Sequence, residues 1–247
     1  MKKTFNDEVK DRLEANGVDA TLKAAGAAFI DASTIPKYSY NFSWLGRPII
    51  QYPQDIVAVQ ELIWQVQPDL IIETGIAHGG SLILSSSLLA LNAMCGGPPD
   101  ALVLGVDIDI RPHNFEAINA HPMARRIRMI QGSSIAPEII AQVREVASGF
   151  RRVLVCLDSN HTHEHTLAEL DAYAPLTSVG SYCVVFDTII EDLPAEKFPD
   201  RPWGPGNNPK TAVREYLKTH PEFEVDKAID NKLLISVAPD GYLKRIR

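Results

Sequence analysis

The densest run of chemistry-bearing side chains is VCLDSNHTHEH, with a second, shorter one at VVFDT. Asp158 follows an apolar run directly, His161 comes three residues later, and Asp187 closes the other apolar run. If these runs are neighbouring strands of one parallel sheet, Asp158 and Asp187 meet beyond the strands' carboxyl ends, where ligands sit in such folds. Two carboxylates brought together conflict electrostatically. A bound Mg²⁺ relieves the conflict and takes oxygen ligands and waters in an octahedral shell. Imidazole titrates near neutrality, so His161 is the candidate base for removing a proton from a hydroxyl. His163 and His165 open the following helix, where solvated or capping roles are expected. A histidine-rich zinc site would need a further nitrogen or sulfur donor that cannot be placed.

A second constellation lies upstream, in LIIETGIAHGGSLILSSSLLALN. It reads as a buried strand that runs through a glycine-rich turn into a helix. Gly75, Gly79 and Gly80 remove Cβ atoms where backbone must approach a ligand, and the turn points backbone N–H groups and a helix N-terminus at the crevice. The spacing is not GxGxxG, which disfavours NAD. Glu73 adds a carboxylate where a phosphate would be repelled and a cation welcomed. S-adenosylmethionine, with its sulfonium and amino group, fits better, with Ser81 at the helix start; an ordinary ligand-free turn is the alternative. GVDIDI supplies Asp107 and Asp109, either able to accept from ribose hydroxyls or to cap the helix ahead. IQGSS supplies Gly132, Ser133 and Ser134 where an adenine could be met, though either serine could cap the helix opening at Pro137.

The elements that must position these residues alternate between strand and helix, as expected of a parallel sheet covered on both faces. Strands are expected at 70–74, 102–107, 127–131, 152–157 and 182–187, and helices near 54–66, 78–92, 112–120, 137–148, 163–173 and 210–219. Phe223 to Ile229 and Leu233 to Val237, joined by Asp230-Asn231, read as a closing hairpin. The expected fold is an α/β, Rossmann-like, seven-stranded and mostly parallel sheet ending in an antiparallel pair. Residues 1–50 form an extension with a helix over 7–16 and the aromatic run YSYNFSWLGRP, and 51–247 form the domain. Residues 188–209 hold five prolines in a loop long enough to be functional.

Composition narrows the partners. The 247 residues carry a formal net charge of −7, with no basic surplus to neutralise the phosphates of nucleic acid or an anionic membrane. No apolar run approaches the ~18 residues of a membrane helix, and MKKTFNDEVKDRLEANG lacks a signal-peptide core, so a cytoplasmic protein is expected. Cys95, Cys156 and Cys183 are widely spaced and read as small hydrophobes, not as disulfides or zinc ligands.

With NFSWLGRPIIQ, LIIETGIAHGGS, GVDIDI, IQGSS, LDSNHTHEH, VVFDT and PDGYLKR, the chain resembles, from about Tyr38 onward, the cephalosporin hydroxylase family. That family includes macrolide-sugar, rhamnosyl and polysaccharide O-methyltransferases. The resemblance implies a class I methyltransferase fold, S-adenosylmethionine, Mg²⁺ and homo-oligomers. It places the metal aspartates on Asp158 and Asp187 and the catalytic histidine on His161. Macrolide-type members carry a Glu before the last aspartate, where this chain has Phe186. An extra water, Glu191 or Asp192 could substitute, or the branch has lost the metal.

The expected activity is therefore methyl transfer to a hydroxyl, of a sugar or glycosylated metabolite. A hydroxylase and a non-catalytic cofactor-binding subunit are the competing readings; no haem, flavin or 2-His-1-carboxylate pattern favours the former. Tyr38, Tyr40, Trp44 and Trp203 would suit sugar faces or a subunit interface.

Overall fold

The computed structural model describes residues 3–247. Its centre is a seven-stranded sheet built from β3 (Leu70–Thr74), β4 (Leu102–Asp107), β5 (Ile127–Gln131), β6 (Val153–Leu157), β7 (Tyr182–Val185), β8 (Phe223–Val225) and β9 (Tyr242–Arg245), in the order β5-β4-β3-β6-β7-β9-β8. A separate two-stranded hairpin, β1 (Phe42–Trp44) and β2 (Arg47–Ile49), precedes it. The first five sheet strands are mutually parallel, whereas β9 runs antiparallel to both β7 and β8. Strand order reverses between β3 and β6, which opens the crevice that such sheets use for ligands.

The central strands are continuous apolar runs because both faces are covered. Successive residues face opposite cores: Ile71 and Val103 pack in one layer with Val59, Leu62 and Leu82, while Leu70, Ile72 and Leu104 pack in the other with Val143, Leu170 and Tyr216. The first layer belongs to α3 (Pro53–Val66) and α4 (Gly80–Met94), and the second to α6 (Pro137–Ala147), α7 (His163–Tyr173) and α8 (Pro209–Tyr216). Pro53, Pro137 and Pro209 each occupy a first helical position, where a missing N–H costs nothing. Asn208 also caps α8 reciprocally with Thr211. The fourth helix of this series, α5 (Pro112–Asn119), follows β4.

Two expectations need correcting. Residues 227–237 do not form a hairpin arm. Asp226 accepts from the Ala228 N–H and starts α9 (Lys227–Leu233), and the antiparallel partner is β9, further along the chain. Ser236 and Val237 are held out of any strand by the buried Asp55 carboxylate, which accepts from Ser236 Oγ at 2.6 Å and the Val237 N–H at 3.0 Å. The N-terminal extension is also more helical than expected, with α1 (Phe5–Val18) followed directly by α2 (Ala20–Thr34). The extension is packed onto the sheet domain, α1 against α9 and the β1–β2 hairpin against α4. No helix among the described residues is long and apolar enough to cross a membrane. Cys156 and Cys183 are buried and Cys95 is exposed, all unpaired.

Candidate functional site

The register of the sheet sets the site. Leu157 is paired with Thr74 on one side and Val185 on the other, so the residues just beyond these positions, Gly75, Asp158 and Phe186-Asp187, converge at one end. Asp158 and Asp187 carboxylate oxygens and a His161 ring nitrogen all lie within 4.8 Å of one another. Asp187 adopts a left-handed backbone, φ 55°, which asparagine and aspartate tolerate better than most side chains. The His161 Nε2 is 3.2 Å from Asp187 Oδ2, and the ring packs edge-on against Trp203 with centroids 4.9 Å apart. Trp203 in turn carries the Arg201 guanidinium 5.1 Å from its ring centroid. The proline-rich loop thereby fixes the imidazole from one side and Asp187 from the other.

The donor set suits a hard divalent cation. Neither Asp158 nor Asp187 forms an ion pair with a lysine or arginine among the described residues. Burial, then the charges of Asp187, Glu73, Glu169 and Asp55, push Asp158 well above the usual carboxylate range. A cation at this point would reverse that penalty. Glu191 and Asp192 are not the substitutes for the missing carboxylate. Glu191 accepts from the Gly206 N–H, Asn208 Nδ2 and Arg214 NH1, and Asp192 is paired to the buried Lys210. Both tie down the 188–209 loop. Phe186 is 6% exposed and packs in the core with Val184 and Tyr242.

These residues stand at one wall of a cavity of about 330 Å³ whose other walls are the glycine-rich turn, Asp107 and the segment Pro48 to Gln51. No lysine or arginine lines it, whereas Asp107, Asp158 and Asp187 do. Such a lining is poorly suited to a pyrophosphate and well suited to a cationic ligand. Tyr40 and Ser39 also line it. Tyr38 instead packs against Phe29, Phe42 and Tyr52, and Trp44 donates its indole N–H to Ser87 at 2.9 Å, so these two aromatics are structural.

The turn is braced by the protein itself, which corrects the expectation of free backbone donors. Asp107 Oδ2 accepts from the Ile76 N–H at 2.7 Å and the Ala77 N–H at 3.3 Å, and its Oδ1 accepts from the Asp109 N–H at 3.0 Å. Asn114 Nδ2 donates to Ala77 O at 2.9 Å, and Arg47 donates to His78 O. The glycines answer to chain packing: a Cβ at Gly75 would strike the Asp158 carbonyl, at Gly79 the Ile118 side chain, and at Gly80 the Pro48 carbonyl. Glu73 is not a free carboxylate in the cavity. It is 4% exposed, accepts from Ser81 Oγ, and burial raises its pKa to about 7 despite that bond. It lines a smaller space behind the main one, with Asp55, Cys156 and Phe186.

The other expected cofactor residues separate. Gly75, Ser81, Asp107 and Asp158 line the cavity; Gly79, Asp109, Gly132, Ser133 and Ser134 do not. Asp109 is exposed, 3.9 Å from Arg111. Ser134 is buried in a network that sequence reasoning missed: its Oγ meets His165 Nε2 at 3.0 Å, the same nitrogen lies 3.2 Å from Ser159 Oγ, and Ser159 donates to the buried Glu169 at 2.7 Å. This network joins the end of β5 to the residue after Asp158. His163 bonds Thr211 Oγ1 at 2.8 Å and Glu215 at 3.2 Å, linking α7 to α8. The His165–Glu169 spacing of four on one helix was the only local signal for either role.

Comparisons with known proteins show the family and the fold. Residues 36–246 match the family model described as rhamnosyl O-methyltransferase/CmcI. A rhamnosyl O-methyltransferase of Mycobacterium leprae (strain TN) is 29% identical over 208 residues, covering 82% of this chain and 82% of the relative. The one from Mycobacterium bovis (strain BCG / Pasteur 1173P2) is 32% identical over 196 residues, covering 77% and 73%. In fold, the chain is similar to the solved structure "cmcI-D160 Mg-SAM" with a TM-score of 0.58 at 20% identity, covering 84% of this chain and 78% of that one. An O-methyltransferase from Bacillus cereus in complex with SAH gives a TM-score of 0.51 at 13% identity, covering 83% and 82%. The chain belongs to the rhamnosyl O-methyltransferase/CmcI family and is an O-methyltransferase.

Proposed function

We propose that this chain transfers the methyl group of S-adenosylmethionine to a sugar hydroxyl, of the rhamnosyl class that its relatives' names specify, with Mg²⁺ assistance and His161 as general base. The observation that carries the reading is the meeting of Asp158, His161 and Asp187 within 4.8 Å at the wall of a cavity without basic lining. When bound, S-adenosylmethionine supplies an electrophilic methyl on a sulfonium, and Mg²⁺ supplies positive charge that acidifies a hydroxyl. Asp158 and Asp187 would hold the cation. The braced turn from Gly75 to Gly80, with Asp107 beside it, shapes the cofactor's place and presents carboxylate rather than basic groups to it. His161, held between Asp187 and Trp203, takes the acceptor's proton at a ring nitrogen. Tyr40, which lines the cavity, offers a face against which a sugar ring can stack. The only metal-type cluster among the described residues has one histidine, where a non-haem iron hydroxylase site needs two.

The test is a calorimetric titration with S-adenosylmethionine and with NAD, followed by a labelled-methyl screen over rhamnosyl and other deoxyhexosyl glycosides. Saturable binding of S-adenosylmethionine alone, with label moving to one sugar hydroxyl, is expected. Binding of NAD in its place would overturn the reading.

A further inference from the structure

Gln51 follows β2 and borders both the main cavity and the small space behind it that Phe186 and Glu73 line. Its side chain is 7% exposed. Nε2 lies 3.4 Å from Asp158 Oδ2, at the long limit of a hydrogen bond, and Oε1 is buried with no hydrogen-bond partner among the described residues. A buried acceptor left unpaired is costly, so an amide oxygen retained here has a use that the protein atoms alone do not show.

We propose that Gln51 Oε1 is a third protein ligand of Mg²⁺, the oxygen that Phe186 does not supply. The inference rests on the reading that Asp158 and Asp187 hold the cation. Carbonyl oxygen is a donor type that Mg²⁺ accepts alongside carboxylate and water. Neighbouring ligands in a regular octahedron at 2.0–2.1 Å from the metal lie roughly 3 Å apart. The Gln51 amide therefore already sits about as far from Asp158 as an adjacent ligand would. The terminal amide torsion is broad and nearly two-fold, so a half-turn brings Oε1 to the place that Nε2 holds 3.4 Å from Asp158 Oδ2, while Nε2 takes the buried position that Oε1 leaves. A neutral third ligand also fits the surroundings. Asp55, Glu73 and Glu169 already burden Asp158 with like charge, and an amide adds none.

The experiment is a calorimetric titration of the full chain with Mg²⁺ alone at pH 8, for wild type, Gln51→Leu, Gln51→Glu and Asp187→Asn, with melting curves to show that each is folded. Wild type should bind and Asp187→Asn should not. Gln51→Leu should bind at least tenfold more weakly, while Gln51→Glu, which keeps an oxygen at the same reach, should bind at least as tightly as wild type. If wild type binds and Gln51→Leu matches it, the ligand assignment is overturned and the two-aspartate site stands. If Gln51→Glu is weakened instead of restored, the amide serves Asp158 as a hydrogen-bond donor and the assignment is again overturned; this arm stands even if the leucine variant does not fold. No Mg²⁺ binding by wild type would remove the underlying reading and this inference with it.

Discussion

The turn after β3 and the strand ends of β6 and β7 face each other across one cavity, yet they are built on opposite principles. In the turn, the Ile76 and Ala77 N–H groups go to Asp107, the Ala77 carbonyl to Asn114 and the His78 carbonyl to Arg47, so its shape is set before any ligand arrives. At β6 and β7, Asp158 and Asp187 are driven together by the sheet register, without a lysine or arginine partner and with Glu73, Asp55 and Glu169 behind them. One side is closed and preorganised, which makes it a good mould for a cofactor. The other side carries uncompensated like charge, which makes it a place for a cation and for proton transfer. Binding and chemistry should therefore be separable by mutation.

The sharpest separation is expected from His161→Ala. Loss of a general base typically costs ~10²–10⁴-fold in rate, whereas the turn is untouched. Methyl transfer should fall by at least two orders of magnitude with S-adenosylmethionine affinity by calorimetry unchanged. A parallel loss of cofactor affinity would show that the two sides are one unit.

Next comes the strain stored behind the acidic side. The folded pKa of Glu73, about 7, lies above its ordinary 4.5, so the folded chain holds a proton that the unfolded chain releases between those values. Its contribution to stability is fully present below about pH 4.5 and is lost as pH rises through 7, and Asp55, raised to about 6, acts in the same sense from lower pH. Glu73→Gln should raise the unfolding free energy at pH 8 by on the order of 2 kcal/mol and leave it nearly unchanged at pH 4. Denaturant titrations at the two pH values check both the sign and the slope.

Asp107→Ala should damage the closed side alone. It leaves the Ile76 and Ala77 N–H groups without their acceptor, at about 1–3 kcal/mol in stability. S-adenosylmethionine affinity should weaken at least tenfold, with Mg²⁺ binding intact. A folded variant with unchanged cofactor affinity would reduce Asp107 to a brace of the turn. The smallest effect is expected from His163→Ala, which cuts the bonds between α7 and α8 but reaches neither side of the cavity. Methyl transfer should change less than about twofold while the melting temperature drops by a few degrees, as a loss of about 1 kcal/mol implies.

How much of this was legible in the chain follows from range. The strands 70–74 and 102–107 could be read to the residue because burial on both faces demands apolar runs, and 127–131 was read to the residue although it is an edge strand with Arg128 and Gln131 exposed. The pairing of Asp158 with Asp187 followed from strand adjacency alone. The second N-terminal helix was missed because ATLKAAGAAFIDAST is alanine-rich with a weak apolar stripe. The false hairpin arose because Leu233 to Val237 looks like a strand when Asp55 is ignored. That carboxylate sits more than 180 residues away in sequence, with Ser236 Oγ, the Val237 N–H and Tyr242 OH as its partners. Asp107 read as a ribose acceptor without its bracing task, because nothing local shows that the turn, thirty residues upstream, also uses its carboxylate. Gln51 closes the motif NFSWLGRPIIQ, but nothing in the chain marks it as a ligand without its distance to Asp158.

Metal-assisted methyl transfer from S-adenosylmethionine to a sugar hydroxyl is tested most directly by labelled-methyl transfer to a rhamnosyl acceptor across a chelator series. Transfer should fall to background as chelator rises, with cofactor binding intact, and return when Mg²⁺ is restored. Transfer that persists through exhaustive chelation would contradict the role given to Asp158 and Asp187.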